Sequence, residues 1–421
     1  MLYEEQNKEY TVILPETMRV ALSSQPRPLC SPNRLCTMKA TLPMLPVTSP
    51  DVTIPITIAF KSNTGLRALE AGMNNIRANL MKAVPLFAVL ALVIAPAAAF
   101  AQSAAGCSPS NSGVYFADVT GDGKVDAIVV NKTGIIVRRS DGTQFLENEV
   151  WSNVPFYGSD PSGNAYVFFA DVDGDGRADA IAVNPNGITV RRSDGKRFRE
   201  NEDWTREGYF GVDQFGRLNV HFADATGGHK ADAIVVNKDG VTVRRSDGGK
   251  FRRNERWTNE PYYGERGTYF ADVDGDGKAD AIVVNRNGIT VRRSDGTRFL
   301  PNETWTNEGY HRERTSSRYY FADVDGDGRA DLIIVGPDGI IVRLSDGTQF
   351  GPPMRWTRRA FIGGLGTYFF DVDGDGKADA IAVNTNGVTV RRSNGTEFTR
   401  NEAWTVNPFF GEIGPICSSG R

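Results

Sequence analysis

The stretch FADVDGDGKAD, residues 270–280, returns in altered form at residues 116–126, 169–179, 222–232, 321–331 and 369–379. Six copies at a period of about 50 residues mark an array of supersecondary units, each of which must stack on its neighbours to bury its apolar faces. Every copy continues in the same order: an apolar run such as DAIVVN, a turn with Asn-Gly, Asp-Gly or Thr-Gly, then GITVRRSDG or a near variant, a Phe and a Trp. This reads as four short strands per unit, TYFAD, DAIVVN, GITVRRS and the segment around ETWT, joined by turns in which Gly supplies positive φ. Four antiparallel strands repeated in series predict an all-β chain, a β-propeller of four-stranded blades over residues 108–417. Six copies argue six blades. The 45 glycines among 421 residues suit many short strands and tight turns.

The acidic core of the repeat carries its own chemistry. In Asp272-x-Asp274-x-Asp276-Gly277-x-x-Asp280, carboxylates at positions 1, 3, 5 and 9 of one tight loop repel each other unless a cation neutralises them. Calcium takes six to eight hard oxygen ligands at about 2.3–2.6 Å, and alternating aspartates on a curled backbone can converge on it. Gly277 permits the turn, and the Lys278 carbonyl at position 7 is the expected main-chain ligand. Magnesium suits such an all-carboxylate cage less, because it demands octahedral geometry and dehydrates reluctantly. Three further copies are complete: Asp171/Asp173/Asp175/Asp179, Asp323/Asp325/Asp327/Asp331 and Asp371/Asp373/Asp375/Asp379. The first copy has Thr120 beside Asp118, Asp122 and Asp126, which predicts weaker binding. The third keeps Asp224 and Asp232 but carries Thr226, Gly228 and His229, and is expected to hold no ion. The expectation is four complete calcium sites, one weaker and one empty.

The motif D-x-D-x-D-G-x-x-D between short strands, followed by an apolar run and Gly-x-Val, resembles the FG-GAP or VCBS repeats of integrin α-subunit heads and many secreted bacterial proteins. The resemblance covers about 300 residues and implies a calcium-binding propeller whose ligands fall on the aspartates named above. The family's aromatic-Gly pair is echoed in Tyr157-Gly158, Phe210-Gly211, Tyr263-Gly264 and Phe410-Gly411. Its members are often seven-bladed, which leaves seven blades open beside six.

Trp151, Trp204, Trp257, Trp305, Trp356 and Trp404 recur once per repeat. They could form sugar-stacking platforms between blades, with Trp151, Trp204, Trp257, Trp305 and Trp404 as candidate ligand residues, but a large ring recurring at every blade fits better the packing wedges that interlocking sheets need. Paired arginines (Arg138/Arg139, Arg191/Arg192, Arg244/Arg245, Arg292/Arg293, Arg391/Arg392) sit on the third strand, where alternation sends the two side chains to opposite faces. The fifth repeat has Leu344 after Arg343, so this position is expected to lie against packed surface with the arginine head paired to an acid or stacked on Trp.

Residues 1–80 show no sustained periodicity and scattered prolines, and read as an unstructured or mis-assigned extension. Residues 81–101 then read as a signal peptide, with Lys82 in the positive region, an apolar stretch and Ala99-Phe100-Ala101 as cleavage site. A start at Met81 and a mature chain from about Gln102, secreted or periplasmic and without a transmembrane segment, are expected. Cys107 and Cys417 bracket that chain and read as one disulfide; the rival is Cys107 as a lipid anchor. A formal net charge of -3 gives no reason to expect nucleic acid as partner. His221, His229 and His311 form no repeated constellation, and no nucleophile elbow, zinc spacing or phosphate loop occurs, so no enzyme is expected. A polysaccharide lyase or hydrolase would rest on analogy of fold alone. The expected function is a calcium-stabilised binding module, first for carbohydrate and alternatively for protein–protein adhesion.

Overall fold

The β-branched runs that follow each acidic loop become central strands of small sheets, as their propensity favours. In a computed structural model the described residues are 113–307 and 317–413, together with four short strands upstream. Residues 1–95 and 96–421 form two units. In the first, expected to lack regular elements, Glu5–Gln6 pairs with Glu9–Tyr10 and Cys36–Thr41 with Pro55–Phe60, both antiparallel. The β-branched PITIAF segment, too short to show a sustained period, provides the longer pairing. The expected signal peptide, Cys107, Cys417 and His311 lie outside the described residues.

In the second unit each repeat is one antiparallel sheet with its strands in chain order, and six such sheets form a ring. Blade 1 comprises Val114–Ala117, Asp126–Asn131, Gly134–Arg138 and Glu149–Ser152. Blade 4, the clearest copy, comprises Gly267–Ala271, Asp280–Asn285, Gly288–Arg292 and Glu303–Thr306. Blades 2, 3, 5 and 6 begin at Ala165, Val220, Arg318 and Gly366, and blade 2 gains an edge strand, Gly158–Ser159. The second and third strands are apolar on both faces because a neighbouring blade covers each side. Six apolar clusters lie between successive blades, the last joining blade 6 to blade 1 through Val114, Phe116, Ile381 and Trp404.

Sequence reading put Asn-Gly at the hairpin centres. Instead Asn184 pairs with Gly187 across a two-residue turn, and Gly187 opens the third strand at φ 147°. A Cβ there would lie 2.2 Å from the carbonyl oxygen of Thr205, just past the fourth strand, so close approach rather than turn type requires the glycine.

Three repeated contacts lock blade to blade. The amide of Ala330 donates to the Asp272 carbonyl at 2.7 Å, and the equivalent bond occurs at every junction, closing with Val125 to Asp371 at 2.9 Å. The hydroxyl of Ser345 donates to the Val273 carbonyl, again six times around, at 2.5–2.6 Å. On the innermost strands one aromatic ring packs, tilted by 53–60°, against the next blade's Phe at 4.9–5.2 Å: Tyr115 on Phe169, Phe168 on Phe222, His221 on Phe270, Tyr269 on Phe321, Tyr320 on Phe369 and Tyr368 on Phe116. After blade 6 the chain returns to blade 1, where Ile413 donates to the Val130 carbonyl at 3.0 Å. Among the described residues no helix is long and apolar enough to cross a membrane.

Candidate metal and ligand sites

Because strands alternate in direction, the acidic loops and the Ser-Asp-Gly turns share one face of the ring, and the hairpin turns and inter-blade linkers share the other. Each acidic loop is held by its end residues. In blade 4 Asp272 accepts from the amides of Gly275 and Gly277 at 2.7 and 2.8 Å. Asp280, fully buried, accepts from Val273 and Ser294 at 3.2 and 2.8 Å. Both glycines have φ near 80°, and the stem of Arg329 from the next blade crosses Gly275, 2.9 Å from where a Cβ would stand. The turn thus needs Gly275 as well as the Gly277 expected from the motif.

The structure brings three carboxylates within 4.8 Å of one another in four loops: Asp171/Asp173/Asp179, Asp272/Asp274/Asp276, Asp323/Asp325/Asp331 and Asp371/Asp373/Asp379. Among the described residues the first and third loops form no such group. The four are the loops with complete motifs. In each, the remaining aspartate of the motif stands outside the triplet, and the position 5 carboxylates of Asp175, Asp276, Asp327 and Asp375 pair with the cation at position 7, Arg177, Lys278, Arg329 and Lys377. Thr120 turns its hydroxyl back onto Asp118 at 3.2 Å, and Lys124 pairs with Asp122.

Burial pushes Asp179, Asp331 and Asp379 up to about 8 and Asp272 and Asp323 up to about 6, and like charge from the loop's other aspartates adds to the rise. Carboxylates so placed lack positive charge to face. A hard, all-oxygen donor set with unbalanced negative charge fits a divalent cation, so these four loops can hold a metal ion.

The tryptophans do not fit the role of sugar platforms. Trp151, Trp204, Trp257, Trp305, Trp356 and Trp404 are only 1–2% exposed. Each packs on the Phe of the following blade at 5.0–5.5 Å. In four blades the indole N–H donates to a glutamate two residues earlier, Glu149, Glu202, Glu255 or Glu303. Buried on both faces between sheets, the indoles are packing wedges with no ring left to stack on a ligand.

The arginine pairs divide as alternation requires. The first of each pair lies over an aromatic of the preceding linker at 4.5–4.8 Å: Arg138 over Phe409, Arg191 over Phe156, Arg244 over Tyr209, Arg292 over Tyr262 and Arg391 over Phe361. The second reaches back across its own blade. Arg293 pairs with Glu303 at 2.8 Å and approaches Asp274 of the acidic loop at 3.6 Å.

The linker aromatics are what the sequence reading left without a role. Their first ring is buried under arginine, while the ring beside the glycine faces outward in two linkers, Tyr157 at 40% and Phe410 at 49% exposed, and is half-buried against the inter-blade cores in two others, Phe210 and Tyr263. The long linker between blades 2 and 3 adds Phe215, also 49% exposed, against Tyr263 at 5.9 Å. That linker is rigid, because buried Asp213 accepts from the amides of Phe215 and Arg217 and from the side chains of Arg217 and Asn219. The aromatic-Gly spacing was the available signal.

The family model for the FG-GAP-like repeat matches residues 118–182, 272–334 and 323–382. Residues 118–182 and 272–382 therefore carry FG-GAP-like repeats. Each match starts at the first aspartate of one acidic loop and ends in the second strand of the next blade, so the FG-GAP-like unit straddles a blade junction. Among solved structures the chain is similar to a lectin of Agrocybe aegerita, described for specific recognition of non-reducing terminal N-acetylglucosamine. The identity is 22% and the TM-score 0.52, over 71% of this chain and 81% of that one. A Tc holotoxin pore of Photorhabdus luminescens gives 17% identity and a TM-score of 0.46, over 73% of this chain but 15% of the toxin. No curated protein matches the sequence.

Proposed function

We propose that this FG-GAP-like ring is a secreted, calcium-stabilised module that binds carbohydrate. The observation that carries the ligand class is the outward-facing linker aromatic beside a glycine, Tyr157 and Phe410, with Phe215 added on a rigid loop, on the face away from the acidic loops. Isolated exposed apolar residues are ordinary, but rings repeated on a fixed scaffold present flat apolar surfaces that complement the C–H face of a sugar. The similarity of fold to a lectin that recognises terminal N-acetylglucosamine supports the same class. Binding of the full chain to a glycan array in calcium is the test. Selective glycan binding that falls about tenfold or more in Tyr157→Ala or Phe410→Ala is expected. No glycan binding, with retained binding to a protein, would replace this reading with an adhesion module.

Calcium has a stabilising role in this reading. A site whose dissociation constant lies tenfold below ambient calcium contributes roughly 1.4 kcal/mol to stability. Four such sites amount to about 5 kcal/mol, a large fraction of a domain's typical total. Excess chelator should therefore lower the melting temperature of the full chain by many degrees, and an unchanged midpoint would overturn the calcium reading.

A further inference from the structure

The four carboxylate loops share a backbone, yet the charge facing their position 3 aspartates differs. In blades 2, 4 and 6 a guanidinium from the third strand stands beside that aspartate: Arg192 to Asp173 at 3.4 Å, Arg293 to Asp274 at 3.6 Å and Arg392 to Asp373 at 3.5 Å. In each the same arginine also pairs with a glutamate of the fourth strand, Glu202, Glu303 or Glu402, which holds the guanidinium in place. Blade 5 breaks both halves of this arrangement. Leu344 occupies the arginine position and is packed among apolar side chains, and Met354 occupies the glutamate position, paired with Val342 where Glu303 pairs with Val291. Among the described residues the Trp356 indole N–H has no partner, as is also the case for Trp404 in blade 6, whereas in blades 1 to 4 it donates to that glutamate. The position 7 cation does not discriminate among the loops, because Arg177, Lys278, Arg329 and Lys377 all pair with their own position 5 aspartate.

We infer that the blade 5 loop, Asp323 to Asp331, is the tightest divalent-cation site of the ring, because Leu344 removes the guanidinium that weakens the other three. This inference rests on the reading of the acidic loops as calcium sites. A fixed positive charge about 3.5 Å from a ligand carboxylate satisfies part of its charge before the ion arrives and repels the dication once it binds. For a partly exposed guanidinium near a doubly charged ion, with a water-like dielectric, the Coulomb penalty corresponds to roughly a tenfold weaker site. Arg192, Arg293 and Arg392 thus set the affinity of their loops without ligating the ion.

The test is isothermal titration of the calcium-stripped full chain with calcium chloride. One site about tenfold tighter than the rest is expected, and Asp325→Asn should abolish that site alone. Leu344→Arg should merge it with the weaker class. Because Leu344 is packed and its replacement can disturb folding, Arg293→Gln is the complementary variant: it lies at the surface and should create a second tight site. Four equivalent sites, or a tight class untouched by Asp325→Asn and by Leu344→Arg, would overturn the ranking while leaving the calcium reading intact. No calcium uptake by any variant would overturn both.

Discussion

Blades 3 and 4 are adjacent, have the same strand pairings, and differ in what their acidic loops contain. Blade 4 carries four aspartates; blade 3 retains only Asp224 and Asp232, with Thr226, Gly228 and His229 between them. The backbone hardly registers the loss. Asp224 accepts from the amides of Gly227 and His229 at 2.7 and 2.6 Å, as Asp272 does from Gly275 and Gly277. Asp232 accepts from Ala225 and Ser246 at 3.2 and 2.9 Å, as Asp280 does from Val273 and Ser294. Thr226 turns its hydroxyl onto Asp224, and the Lys230 ammonium, with no carboxylate at position 5, donates to the Gly228 carbonyl at 2.9 Å. Positions 1 and 9 therefore build the loop, whereas positions 3 and 5 bring the charge that calls for a cation. One acidic motif contains two separable functions.

The most damaging way to probe that separation is to remove position 9. Asp232→Ala and Asp280→Ala each leave two buried amides without an acceptor, a loss of about 2–5 kcal/mol. Measured by denaturant unfolding in chelator, the two should cost about the same. A small loss for both in chelator, with a large loss for Asp280→Ala appearing only in calcium, would mean that position 9 serves the metal rather than the loop.

The blades also differ on the innermost strand, where His221 occupies the position of Tyr269. His221 is buried, both ring nitrogens lack a partner, and burial lowers its pKa from 6.5 to about 4. A base whose folded pKa is depressed contributes stability that is fully present above its unfolded pKa and lost as pH falls from about 6.5 through about 4. The shift corresponds to roughly 3 kcal/mol at its limit. His221→Phe should raise stability by about 1 kcal/mol at pH 7, by removing an unsatisfied buried polar group, and should flatten the acid limb relative to the parent in calcium. Parallel melting curves for the two proteins from pH 7 to pH 4.5 would count against it.

Much of this architecture was legible in the sequence, because a repeated DAIVVN run between an acidic loop and Gly-Ile-Thr-Val-Arg leaves little freedom of strand order. The charge content of the loops was legible too, since alternating aspartates at fixed spacing require a common backbone curl. What periodicity could not decide is which side of a residue meets its neighbour. A tryptophan in every blade satisfies a wedge and a platform alike, and only the Phe packed on each indole separates them. The outward aromatic of the linkers was hidden for the same reason, standing beside a buried one in the pairs Phe156-Tyr157 and Phe409-Phe410. The double role of Arg293, on Glu303 and Asp274, depends on how three segments of one repeat meet in space, which their order in the sequence does not display.

If positions 3 and 5 supply only charge, restoring them should make the blade 3 loop bind an ion. The triple variant Thr226→Asp, Gly228→Asp, His229→Gly rebuilds the blade 4 pattern on a backbone that already has its shape. It should add one calcium ion to the stoichiometry, raise stability in calcium by about 1–2 kcal/mol and lower it in chelator through carboxylate repulsion. An unchanged stoichiometry would show that blade 3 differs in more than its side chains.

The smallest effect concerns His229 alone. Among the described residues it is the one non-glycine residue at positive φ, 55°, at the position where blade 4 has Gly277 at 82°. Its imidazole is exposed, and the left-handed backbone costs a residue with a Cβ about 1 kcal/mol. His229→Gly removes that strain but frees the unfolded chain, which costs part of the gain. A net rise of a few tenths to about 1 kcal/mol is expected in chelator, where no ion can act, and the same rise in calcium, since the loop still lacks both inner carboxylates. A gain that appeared only in calcium would mean that His229, and not the missing aspartates, is what keeps an ion out of blade 3.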